Sequence, residues 1–119
     1  MTSGNMHKTW PQIGVLKYMG YQVGENGETV STRHNVLQLV YEAPLPNIGP
    51  PDHMAEWGEP NSARRLNKIA WSIAIFCLNA KRKSVHLETA ISDWETDLAW
   101  LKATYYDGNF AFRWPDTYL

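Results

Sequence analysis

Six of the chain's eleven Lys and Arg residues fall in two short groups, Arg64, Arg65 and Lys68, and Lys81, Arg82 and Lys83. Clustered cations bind phosphate or an acidic partner surface, so these are the candidate partner- or phosphate-binding residues. Arg64 and Arg82 stand 18 residues apart, about 27 Å along a helix, which makes two patches and not one stripe. Cations near a helix C-terminus meet its dipole favourably, so Lys81, Arg82 and Lys83 also suit a purely structural role. Arg64 and Arg65 oppose the dipole at the other end and need a partner. An internal partner is available in the acidic face formed by Glu88, Asp93, Glu95 and Asp97.

Other reactive types are sparser. Asp93 and Asp97 lie one helical turn apart and could offer two oxygens to a divalent cation, but oxygen-ligated ions take more ligands than two. His34, His53 and His86 are scattered, with neither a paired-His helix motif nor a set of Cys ligands, so no metal site is expected. The serines stand outside any nucleophile-elbow context, and the glycines assemble no phosphate loop. His53 and Glu56 in DHMAEWGE could share a helix face as acid and base, which is the whole case for a small hydrolytic enzyme. Neither a catalytic residue nor a cofactor is assigned. Trp57, Trp100, Tyr106 and Trp114 lie off the main apolar seams or near element ends, where aromatic rings serve either as interface anchors or as lids over a core.

These side chains must be positioned by helices. PQIGVLKYMGY places Pro11 at a possible first helical position and Gly20 as a stop, predicting a short helix around Leu16. After the VGENGET turn, Thr29 or Ser31 caps a helix through Leu37 that ends by Ala43. Pro44, Pro46, Pro50 and Pro51 make residues 43–51 an extended connector, followed by one turn of helix at DHMAEW. Asn61 or Ser62 then caps a long helix over residues 62–83. Its apolar positions Leu66, Ile69, Ala70, Ile73, Phe76, Cys77 and Ala80 form one face, and Trp71, Ile75 and Leu78 cover a second. Such a helix should be central, with neighbours on both flanks. Residues 84–106 predict another helix with a seam of Leu87, Ile91, Trp94, Leu98, Leu101 and Tyr105, laid antiparallel on the first. Phe110, Phe112 and Trp114 alternate in an extended tail.

The expected architecture is therefore mainly α, a compact bundle with a central long helix, in one domain spanning residues 1–119, with residues 1–10 disordered. The length suits a single core, and 15 aromatic residues, six of them Trp, supply much of what it buries. A formal charge of −1 removes any global bias toward nucleic acid. Cys77 is the only cysteine and sits in the apolar run IAIFCL, which predicts a buried free thiol in a reducing compartment. Neither a signal core nor an apolar run of membrane-spanning length occurs, so a cytoplasmic protein is expected.

The segments LKYMGYQVG, MAEWGEPNSARRLNKIAWSIAIFCLNAKRK, AISDWETDLAWLKATYYDG and FRWPD resemble a family of small uncharacterised bacterial helical proteins, over nearly everything after Ile13. His34 stands where that family carries a second arginine after Arg33. The resemblance implies a bacterial, single-domain helical protein from mobile-element or defence neighbourhoods, and it brings no catalytic or ligand residue. With no catalytic constellation in view, the expected function is non-enzymatic binding of a protein partner, regulating or inhibiting a larger bacterial machine. A nucleic-acid accessory protein using the two basic patches is the alternative, and a homodimer through the last helix is also compatible with the pattern.

Overall fold

The computed structural model describes residues 10, 13–83 and 86–119. The expectations for Met1 to Thr9, for Pro11 and for a helix start at Ser84 lie outside the described residues. Among the described residues five α-helices follow in order, α1 (Val15–Tyr18), α2 (Val30–Glu42), α3 (Pro51–Ala55), α4 (Ala63–Lys81) and α5 (Glu88–Leu101), and α5 runs on into a π-helical turn at Lys102–Tyr106. No strand occurs among the described residues, so the fold is mainly α.

Local chemistry sets the helix limits. The side chains of Thr29 and Ser62 accept hydrogen bonds from the backbone N–H groups of Thr32 and Arg65, capping α2 and α4. Ala43 precedes Pro44 and is extended at φ −110° and ψ 157°, which ends α2. In the π-turn the Asp107 N–H reaches back to the Lys102 carbonyl at 2.9 Å. That wider turn is followed by a tail folded back on the helices. Tyr106 packs against Phe112 and Trp114 and donates its hydroxyl proton to the Phe112 carbonyl, while Tyr105 packs on Tyr41 and Trp100.

The core runs along one side of α4. Leu66, Ile69, Ala70, Ile73 and Ala74 are fully buried against Leu37 and Val40 of α2 and Leu98 and Leu101 of α5, with Val15, Leu16 and Tyr21 closing one end. Each large aliphatic side chain contributes about 1.5–3 kcal/mol on burial. Cys77 is buried in the same stripe, and burial, reinforced by Glu95, pushes its thiol pKa up. Native protein should therefore react with a maleimide at least ~100-fold more slowly than urea-unfolded protein, as mass spectrometry of timed aliquots would record.

One expectation is corrected here. α4 is not sandwiched between neighbours on both flanks: Trp71 and Ile75 remain 36% and 49% exposed. α5 and α2 both pack on its buried side, and the remaining described elements are too short to wrap its outer one.

Candidate partner-binding surface

The predicted site residues divide sharply by burial. Arg65 is 3% exposed and points inward. Its Nε donates to the Trp57 carbonyl at 2.9 Å and its Nη2 to the Gly58 carbonyl at 2.9 Å. Its Nη1 donates to Val40 O at 2.6 Å and Ala43 O at 2.8 Å. Those last two carbonyls belong to the C-terminal end of α2, which has no basic residue in its own last turn. Arg65 thus supplies the charge and the donors that the helix end lacks. Burial pulls its pKa down, with Glu59 acting in the opposite sense. Its expected role on phosphate or a partner is overturned, because none of these donors faces solvent.

Two more cations are engaged by protein groups. Lys68 pairs with Glu56 at 2.8 Å, its ammonium lying 5.7 Å from the centre of the Trp57 ring. Lys81 reaches Glu95 at 2.9 Å and the Thr117 carbonyl at 2.6 Å, while the Thr117 hydroxyl donates to the same Glu95 oxygen. That arrangement ties the tail to α4 and α5, and it lowers the Glu95 pKa, through Thr117 first and Lys81 second. Arg64, Arg82 and Lys83 are exposed and make no ion pair among the described residues.

The predicted acidic face also resolves differently. Asp97 is 0% exposed and accepts from Tyr21 OH at 2.6 Å, from Arg33 Nε at 2.8 Å and from Arg33 Nη2 at 3.2 Å. His34 Nε2 lies 2.9 Å from its other face, and the His34 ring stacks on Trp100 with centroids 4.2 Å apart. Asp93 accepts the Gly24 N–H at 2.9 Å and lies 3.6 Å from Arg33. Burial and the neighbouring Asp97 push the Tyr21 pKa far above its ordinary value, so the phenol stays a donor. Asp93 and Asp97 therefore answer Arg33 and not the α4 arginines, and no group of three metal-type side chains stands together among the described residues. Among the described residues Glu88 pairs with His86, at the surface.

The four candidate interface aromatics act as lids. Trp57 is buried, and Trp100, Tyr106 and Trp114 are half-buried against the core and one another. Of the two expected roles, packed lids or interface anchors, the packing supports the first for Trp57, while Trp100, Tyr106 and Trp114 keep part of their rings at the surface.

The structure brings one apolar face of α4 to solvent. Around α4, Arg64, Trp71, Ile75, Leu78 and Arg82 follow spacings of seven, four, three and four, which places them on one side. Apolar surface occupies the centre of this helix face and cations stand at its two ends. Beside it, the Oδ1 of Asn67 is buried without a hydrogen-bond donor among the described residues.

A second feature was invisible to sequence. A cleft of about 670 Å³ opens between α1, the connector, α3, α4 and α5. Val15, Leu16, Ile48 and Trp57 contribute to its wall, as do Phe76 and Trp94, whose rings are 6.2 Å apart. His53 and Glu56 both line it, so the acid–base pair does sit in a concavity. Yet Lys68 lowers the Glu56 pKa, chiefly by its hydrogen bond, which makes Glu56 a weak base. Ser72, also on the wall, donates its hydroxyl to the Lys68 carbonyl at 2.6 Å. A carboxylate tied to lysine and a hydroxyl tied to its own helix form no activated nucleophile.

No helix among the described residues is long and apolar enough to cross a membrane. No family model, curated protein or solved structure matches this chain.

Proposed function

We propose that this protein is a non-enzymatic protein-binding module whose docking surface is the solvent face of α4. The observation that carries the reading is the uncovered Trp71–Ile75 surface on an otherwise packed helix. Large apolar side chains grouped on a rigid element, with charge at the rim, are the ordinary anatomy of a protein interface. The charge arrangement selects the occupant. Arg64 at one end and Arg82 with Lys83 at the other, about 27 Å apart, suit an amphipathic segment with an apolar centre and acidic ends. A module with no reaction of its own acts by occupying such a segment, which fits regulation or inhibition of a larger bacterial machine.

The nucleic-acid alternative is weakened by the same geometry. Arg65, Lys68 and Lys81 are held by protein atoms, and the free cations flank an apolar strip, which does not follow a phosphate backbone.

The test is a pull-down after nuclease treatment, comparing wild-type protein with Ile75→Glu and with Leu39→Glu, a similarly exposed apolar residue on α2. Circular dichroism melts establish that both variants are folded. The protein partner retained by wild type and Leu39→Glu should bind Ile75→Glu at least ~10-fold more weakly. Retention by Ile75→Glu, or equal loss from both variants, overturns the assignment of this face. Recovery of nucleic acid in a parallel pull-down without nuclease, with binding that falls steeply with salt, would establish the alternative.

A further inference from the structure

We propose that the cleft between α1, α3 and α4 is a binding site for a small amphipathic carboxylate, with its apolar body between Phe76, Trp94 and Leu16 and its carboxylate at Lys68. Its volume of about 670 Å³ lies within the range of about 300–1,000 Å³ typical of small-molecule sites. The distribution of polar groups specifies the ligand further. Glu56, Lys68 and Ser72 gather where α3 meets the first turns of α4, while Val15, Ile48 and Met54 supply apolar wall. A polar group at Lys68 beside a long apolar wall matches one charged head on one apolar body.

The sign of the head follows from the lining. Lys17 and Lys68 both line the cleft against one carboxylate, Glu56, with His53 beside it, so the wall carries a net positive charge when Glu56 is ionised. The Lys68 ammonium lies over the Trp57 ring, 5.7 Å from its centre, and the Lys68–Glu56 pair is at the surface. Exposed ion pairs of this kind contribute little, so an incoming carboxylate can take the ammonium from Glu56 at small cost. Glu56 is then a competitor for the ligand's own position. Tyr21 lends only its ring to the wall, since its hydroxyl is committed to Asp97.

Competition makes opposite predictions for two neighbouring surface residues. The experiment is isothermal titration calorimetry of the full chain with sodium dodecanoate below its micellar concentration. Dodecyltrimethylammonium and dodecanol serve as probes of head-group charge. Saturable one-to-one binding of dodecanoate is expected, at least ~10-fold tighter than either control. Lys68→Gln should weaken it by about 10-fold, and Glu56→Gln should tighten it several-fold. Both side chains are at the surface, so circular dichroism should show both variants folded. Ile75→Glu should leave binding unchanged, which separates this site from the α4 docking face. Absence of saturable binding, equal affinity for the cationic probe, or movement of both cleft variants in the same direction overturns the proposal.

Discussion

Replacing Asp97 with alanine is expected to cost about 3–5 kcal/mol, a large part of what holds a domain of this size together. Asp97 is wholly buried and accepts hydrogen bonds from Tyr21 and twice from Arg33, with His34 beside it. It joins the turn after α1, the first half of α2 and the middle of α5, three segments with no covalent proximity. Removing the carboxylate leaves the Arg33 guanidinium, itself buried, facing the more exposed Asp93 at 3.6 Å as its nearest remaining ion partner. The penalty comes from that stranded charge more than from the lost attraction. Burial acts against ionisation of Arg33, but its hydrogen bonds to Asp97 and the charges of Asp97 and Asp93 more than offset it, so the Arg33 pKa is raised. Urea unfolding followed by circular dichroism measures the effect. The double variant Arg33→Met with Asp97→Leu should be more stable than Asp97→Ala, because it removes the charge as well as its partner. A loss below about 1 kcal/mol for Asp97→Ala would place the ion cluster among contacts that merely accompany the fold.

The helices themselves were legible because their signals are local. Thr29 and Ser62 cap where cap residues should, Pro44 stops α2, and the apolar spacing of α4 identifies its buried stripe. The outer face of α4 was misread because an apolar residue announces that it would gain from burial, not that the chain has anything to cover it. Trp71 and Ile75 satisfy the helical pattern and still lack cover on their outer side, whereas Phe76 faces the cleft beside Trp94. Asp97 was misread for the opposite reason. Its phase, seven residues after the buried Ala90 and four before the buried Leu101, places it on the core side of α5, but its charge grouped it with Glu88, Asp93 and Glu95 as one acidic face. Period outweighed residue type, and Arg33 with Tyr21 made that tolerable. The cleft had no sequence signature, since its walls come from five separate segments brought together only by packing. His34 shows how a single position becomes interpretable in the fold: it touches Asp97 on one edge and lies flat on Trp100.

Arg64 and Arg65 are adjacent, alike in chemistry and predicted to differ completely in consequence. Arg65→Ala should destabilise the protein by about 3–5 kcal/mol, whereas Arg64→Ala should stay within about 0.5 kcal/mol of wild type. The difference lies in what each guanidinium touches. Arg65 donates to the carbonyls of Val40, Ala43, Trp57 and Gly58, so it clamps the end of α2 to the turn that precedes α4. Without it, these carbonyls lose their charged donor, and water has little access to Val40 O and Trp57 O. Asn61 reinforces the same junction: its N–H donates to the Tyr41 carbonyl at 2.9 Å from a left-handed backbone at φ 62°. Arg64 instead lies over Gly58, where the beta carbon of any larger residue would stand 2.8 Å from its side chain. Lysine at position 65 would keep the charge but not the planar fork, so it should recover only part of the loss. Thermal and urea melts of the three variants, with salt-dependent nucleic-acid binding measured alongside, separate the two roles. A folded Arg65→Ala protein that has lost an acidic ligand would restore Arg65 to the surface; an unfolded one, beside an unperturbed Arg64→Ala, confirms it as the internal cap of α2.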